Sequence, residues 1–210
     1  MAEERKLSKD EERRSKLFAE VSSRLNAEGY SELELTTTAA MGNILGTGIG
    51  CLFAAPFIVV FALLNGFFRE NEPNHPGVFL LCLFIFLVSI VVHELIHGFT
   101  WGIFAPNHFK SVAFGVIWQA LTPYCSCKEA LKPAHYIAGL LMPCIALGVV
   151  PAVIAIITAN SLIMMYAALM IICAGGDLFI LCLIIKKKPR KKDILFLDHP
   201  TAIGLVCFVK

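Results

Sequence analysis

The sequence predicts an all-α membrane protein with four transmembrane helices, an N-terminal cytoplasmic amphipathic helix, and a short β or re-entrant segment between the second and third spans. Three observations carry that expectation. The 210 residues are 57% hydrophobic, against roughly 45–50% for ordinary globular domains, and the mean hydropathy is +0.73. Apolar stretches at 42–64, 78–104, 135–159 and 162–185 each approach the ~20 residues that cross a hydrocarbon core. Charge is concentrated at the ends and in the loops, so the net +2 conceals an uneven distribution. The expected organisation is a cytoplasmic arm over 1–40, a membrane domain over 41–186 and a cytoplasmic tail over 187–210.

In the arm, residues 8–28 read as an amphipathic helix. Ser8 followed three residues later by Glu11 forms a capping box, and Leu17, Val21 and Leu25 recur every four residues. Gly29 ends the helix, and the alternation over 30–35 suits a short strand leading to the first span. Mixed charge and few aromatics favour a packed cap over a membrane-surface or substrate-positioning role. In the first span, Gly42, Gly46 and Gly50 at spacing four offer a face for close helix approach.

Orientation follows from the basic residues of the short loops, which tend to stay cytoplasmic. The block over 186–192 directly follows an apolar span and reads as a stop-transfer flank, not as a nucleic-acid site. The arm carries Arg5, Lys6, Lys9, Arg13, Arg14, Lys16 and Arg24, which agrees with both termini lying in the cytoplasm. The loop 68–76, with Arg69 against Glu70 and Glu72, then faces outward, and 106–133, with Lys110, Lys128 and Lys132, faces inward. No cleavable leader is expected, because the charged arm precedes the first apolar run. The eight cysteines lack secreted-domain spacing and read as small buried apolar side chains; Cys125 and Cys127 are too close to each other and too far from further ligands for an ordinary structural zinc site.

Within the second span, His93, Glu94 and His97 form H-E-x-x-H. Ionisable side chains inside a bilayer cost several kcal/mol and mark functional sites by default. Four residues apart on a helix, the two imidazoles project from one face and can share one Zn²⁺, with Glu94 placed to take a proton from water. A catalytic zinc wants a third protein ligand. The other acid within a span is Asp177, in Gly175-Gly176-Asp177 of the fourth. Counted from the outer ends, His93 and Asp177 each lie about 15 residues deep, roughly 22 Å at helical rise, so the two are level. A lone Asp serving helix packing or an ion path is the competing reading.

The segment 112–122 is β-branched and aromatic, too short to span and bounded by Pro106 and Pro123. It reads as a strand or hairpin whose edge could align an extended peptide through Phe114, Gly115 and Val116, or as a re-entrant cover. His135 and Tyr136, at the start of the third span, are candidate substrate-side donors or interfacial side chains. Pro143 should kink or open the third span and free backbone groups at mid-depth.

Taken together, H-E-L-I-H-G over 93–98, Gly175-Gly176-Asp177 and Asp198-His199-Pro200-x-x-x-Gly204 give the chain a resemblance, from about Gly29 onward, to a family of small bacterial membrane proteins of unknown function described as zincin peptidases. More distantly it resembles the site-2 protease class of intramembrane metalloproteases. That resemblance implies His93, His97 and Asp177 as zinc ligands, Glu94 as the base, and a bacterial cell membrane as the location. The site-2 class usually places its Asp before Gly with an N-P pair nearby, which Gly176-Asp177-Leu178 does not reproduce. For the Asp198-His199-Pro200 stretch the sequence supplies no mechanism. The expected function is an intramembrane zinc metallopeptidase acting on membrane proteins or peptides. A catalytically silent metal-binding scaffold or sensor is the alternative, and a transporter is disfavoured by four spans without an internal repeat.

Overall fold

A computed structural model describes residues 8–66, 76–117, 122–187, 189 and 193–210. Helix α1 (Lys9–Ala27) starts at the expected capping box: Ser8 Oγ accepts the Glu11 N–H at 3.2 Å, and the Ser8 N–H donates to the Glu11 carboxylate at 2.8 Å. Gly29, at φ +92°, makes the left-handed turn that releases the chain into β1 (Ser31–Thr37). Thr38 then caps α2 (Ala39–Asn65) by accepting the Met41 N–H.

Helices α2 and α3 (Pro76–Phe104) are both long and apolar enough to cross a membrane. A one-turn 3₁₀ segment, His108–Ser111, follows α3 and leads into an antiparallel hairpin of β2 (Val112–Ile117) and β3 (Thr122–Cys127), which bears out the β expectation over 112–117. The next span runs Pro133–Thr158, as α4 (Pro133–Pro143), a π-helical stretch Cys144–Val149 and α5 (Val150–Thr158). Pro143 has no N–H to give its helix, and the expected distortion takes the form of this widened turn.

The fourth stretch departs from expectation. It is not one continuous helix but α6 (Ser161–Cys173) and α7 (Gly175–Lys187), bent by 46° at Ala174. Two glycines in succession weaken the helix by about 1 kcal/mol each relative to alanine, and there the chain is held by α2 instead. A Cβ on Gly175 would stand 2.1 Å from the Gly46 carbonyl oxygen, and one on Gly50 2.8 Å from Ile172 backbone. The glycine stripe of α2 is therefore a packing face. Among the described residues, three helices are long and apolar enough to cross a membrane, or four if the bent pair counts as one span.

The all-α expectation is corrected at both ends of the chain. The C-terminal tail forms β4 (Ile194–Asp198) and β5 (Ile203–Val209), and β5 pairs antiparallel with β1 to give a sheet ordered β1-β5-β4. The physical reason is a strand buried on both faces, which reads as a continuous apolar run without alternation. On one face Leu205, Cys207 and Val209 join Leu35, Trp101, Tyr136, Ile184 and Phe196. On the other, Val206 and Phe208 meet Leu25 of α1 and Leu197. The arm is thus a cap over this sheet. The cysteines with described surroundings are all unpaired as disulfides. Arg5, Lys6, Arg69, Glu70, Glu72, residues 118–121 and the basic positions Lys188, Arg190, Lys191 and Lys192 lie outside the described residues.

Candidate metal centre

Two imidazoles and a carboxylate converge where α3 meets the start of α7. His93 Nε2 lies 3.1 Å from Asp177 Oδ2, His97 Nε2 lies 3.2 Å from His93 Nε2, and His97 Nε2 lies 3.5 Å from Asp177 Oδ2. Ligand atoms at 2.0–2.1 Å around a tetrahedral zinc stand roughly 3.3 Å apart. The donor set therefore has the spacing and the chemistry of a His₂-carboxylate site, and these three are the group among the described residues that could hold a metal ion.

The local sequence explains each placement. His93 and His97 lie one helical turn apart on α3, and both are buried. Asp177 sits in the first turn of α7 because the helix restarts at Gly175, where the helix dipole favours a negative charge. His97 Nδ1 stands 2.9 Å from the Gly139 carbonyl oxygen. A carbonyl only accepts, so Nδ1 carries the proton and Nε2 turns its lone pair toward the site.

Glu94 is half-buried beside both histidines. Its carboxylate faces the backbone N–H of Cys125 on β3. The hairpin reaches this position because Gly98 leaves room: a Cβ there would be 2.3 Å from the Phe114 ring. Phe114 and Val116 on β2 are exposed, Phe114 standing opposite Cys125 in the hairpin register, and the Tyr124 ring lies where a Gly115 Cβ would stand. His135 stacks on Phe104 with ring centroids 4.3 Å apart, and no contact brings it to the three ligand atoms. Tyr136 is buried, and its hydroxyl donates to Asp198 Oδ1 at 2.6 Å, so that group is already committed.

Behind the ligands runs a column of aromatic rings that sequence reasoning missed. Trp101 stacks on His97 at 5.1 Å and on Tyr136 at 5.5 Å, and Phe196 meets Tyr136 edge-on at 5.6 Å. The Trp101 indole N–H donates to the Tyr136 carbonyl at 3.1 Å. The available signal was the Trp one turn after His97. Glu129, before α4, accepts from Ser111 Oγ and from the side chain and backbone of Asn107. Burial would raise its carboxyl, but these donors outweigh it and hold the group below its ordinary value. Burial drives the Cys127 thiol up to about 12, which keeps it a neutral packing group.

Residues 86–192 match the protein family described as "putative zincin peptidase". The chain belongs to this family. The zincin-peptidase match runs from within α3 to just beyond α7 and so contains His93, Glu94, His97, Gly139 and Asp177. The family's description implies zinc, which agrees with the donor set of two imidazoles and one carboxylate. No curated protein and no solved structure matches the chain.

Proposed function

We propose that this chain is an intramembrane zinc metallopeptidase that hydrolyses peptide bonds of membrane-associated protein substrates. The observation that carries the reading is the mutual spacing of 3.1, 3.2 and 3.5 Å among His93, His97 and Asp177, with Glu94 at their side. A Zn²⁺ held by those three residues would bring the acidity of a water toward neutral and polarise the scissile carbonyl. Glu94 takes the proton of the attacking water and returns it to the leaving amine. Gly139 fixes the His97 ring through Nδ1, so the nitrogen that faces the centre does not depend on substrate.

A membrane-embedded substrate is supported by an apolar cleft of about 410 Å³ between α3 and α6, lined by residues including Phe79, Leu83, Phe86, Met165 and Tyr166. Its Tyr166 hydroxyl pairs with Ser89 at 2.8 Å, one turn from His93. The hairpin offers strand edges for an extended peptide, with Phe114, Gly115 and Val116 on β2 and His135 in the first turn of α4 as the proposed substrate side. The bent α6–α7 pair is read as the fourth span, and both termini as cytoplasmic by the basic flanks.

The test uses purified chain in lipid nanodiscs, loaded with zinc and offered a mixture of single-span peptides, with products read by mass spectrometry. Wild type should cleave, and Glu94→Gln should retain stoichiometric zinc while losing cleavage. Cleavage retained by Glu94→Gln, or a wild type that purifies and reloads without metal, would overturn the assignment.

A further inference from the structure

Asp198, the last residue of β4, lies far from the ligands in sequence and just past the stretch matched by the family. Its two carboxylate oxygens go to two different elements. Oδ1 accepts the Tyr136 hydroxyl of α4 at 2.6 Å, and Oδ2 accepts the Cys127 backbone N–H of β3 at 2.9 Å. Each of those elements supplies one support to the centre: α4 presents the Gly139 carbonyl to His97, and β3 presents the Cys125 N–H to Glu94. We propose that Asp198 is a positioning residue that ties β3 and α4 to one point, so that the His97 ring and the Glu94 carboxylate keep their relative orientation. The role in metal chemistry rests on the metallopeptidase reading above.

Strand periodicity strengthens the argument. Residues two apart on a strand present equivalent backbone groups to the same side, so Cys125 and Cys127 direct their N–H groups to one edge of β3. That edge meets Glu94 at the first position and Asp198 at the second. A slip of β3 by one residue would lose both acceptors together. On the α4 side, the Leu131 and Phe196 backbones exchange two hydrogen bonds of 2.8 Å, which set the entry of α4 on β4. The Tyr136 hydroxyl then fixes the helix rotation, and the column from Tyr136 through Trp101 to His97 transmits it. Strand β4 is itself immobilised by five register pairs to β5.

A carboxylate that only stabilises the fold would give the same contacts, and the two roles differ in what happens at the metal. The probe is Co²⁺ alone, bound to full-length chain in nanodiscs, with its visible absorption reporting ligand geometry and a titration giving affinity. Asp198→Ala is expected to weaken Co²⁺ binding about 10–100-fold, as loss of an outer support does, and to change the band shape. Tyr136→Phe should reproduce part of that loss, and the double variant should be no worse than Asp198→Ala. Asp198→Asn, which keeps one acceptor oxygen and the side-chain shape, should fall between wild type and Asp198→Ala and serves if Asp198→Ala does not fold.

A second readout needs no metal. Hydrogen exchange of the metal-free chain should show protection falling in Thr122–Cys127 and Pro133–Pro143 together in the Asp198 variants. Unchanged exchange with unchanged Co²⁺ affinity and spectrum would overturn the proposal, as would exchange rising in only one of the two segments. A wild type that binds no Co²⁺ refutes the metallopeptidase reading instead, and the exchange measurement then decides the tie by itself.

Discussion

Gly139 shows how much of the centre depends on single atoms. Its carbonyl holds His97 Nδ1, and the Trp101 indole lies where its side chain would be: a Cβ would stand 2.1 Å from Trp101 Nε1. Gly139→Ala therefore forces the indole away from α4, which disrupts its bond to the Tyr136 carbonyl and the stack on His97. Overpacking of this kind costs about 1–3 kcal/mol, and a displaced support for a metal-ligating His weakens binding about 10–100-fold. Chelator competition on the zinc-loaded protein should show the affinity loss, and an unchanged affinity would remove Gly139 from the centre. The candidate donors His93, His97 and Asp177 and the neighbouring Glu94 are legible in the sequence: His93, Glu94 and His97 from H-E-x-x-H within an apolar span, and Asp177 as the other acid inside a span, since a bilayer leaves ionisable side chains few alternatives. The roles of Gly139, Trp101 and Asp198 are not, because a glycine, a tryptophan and a strand-end aspartate acquire these roles through hydrogen-bond partners 35 to 71 residues away.

Among the elements, the hairpin was anticipated from its β-branched and aromatic composition, but its anchorage was not. Glu129 clamps the region: it joins the end of the hairpin to Asn107 and Ser111, around the 3₁₀ turn after α3. Because folding lowers the Glu129 pKa, its contribution is present above the unfolded value of about 4.3 and is lost as pH falls through the folded value. The wild type should therefore be more stable than Glu129→Gln near neutral pH, and the gap between their melting temperatures should narrow as the solution is acidified below about pH 4. A gap that stays constant across that range would remove the carboxylate as its source. The break between α6 and α7 belongs to the same scale. Its signal is Gly175-Gly176: lacking side chains, the pair permits the close contact with Gly46 and the 46° bend, and that bend departs from the single continuous span expected over 162–185.

For the whole molecule, the decisive contact is between the chain's two ends. Strand β1 precedes α2 and β5 follows α7, yet the two pair along seven residues each, from Ser31 opposite Val209 to Thr37 opposite Ile203. A sheet of that kind lies on one side of a bilayer, so the polypeptide between β1 and β5 crosses it an even number of times. Helices α2, α3 and Pro133–Thr158 are long and apolar enough for three crossings, and the four-span topology proposed above, with the bent α6–α7 pair as the fourth crossing, satisfies that parity. Asn65 Nδ2 donates to the Ile156 carbonyl at 3.2 Å, which places the end of α2 level with the end of α5, as alternating crossings require. Cysteines introduced at Ser8 and Lys210 should both react with a membrane-impermeant maleimide from the same side of sealed vesicles, and Thr158→Cys from the opposite side, each measured as labelling above the native background. Reaction of Ser8→Cys and Lys210→Cys from opposite sides would break the parity argument, because no arrangement of the β1–β5 pair survives a bilayer between its strands.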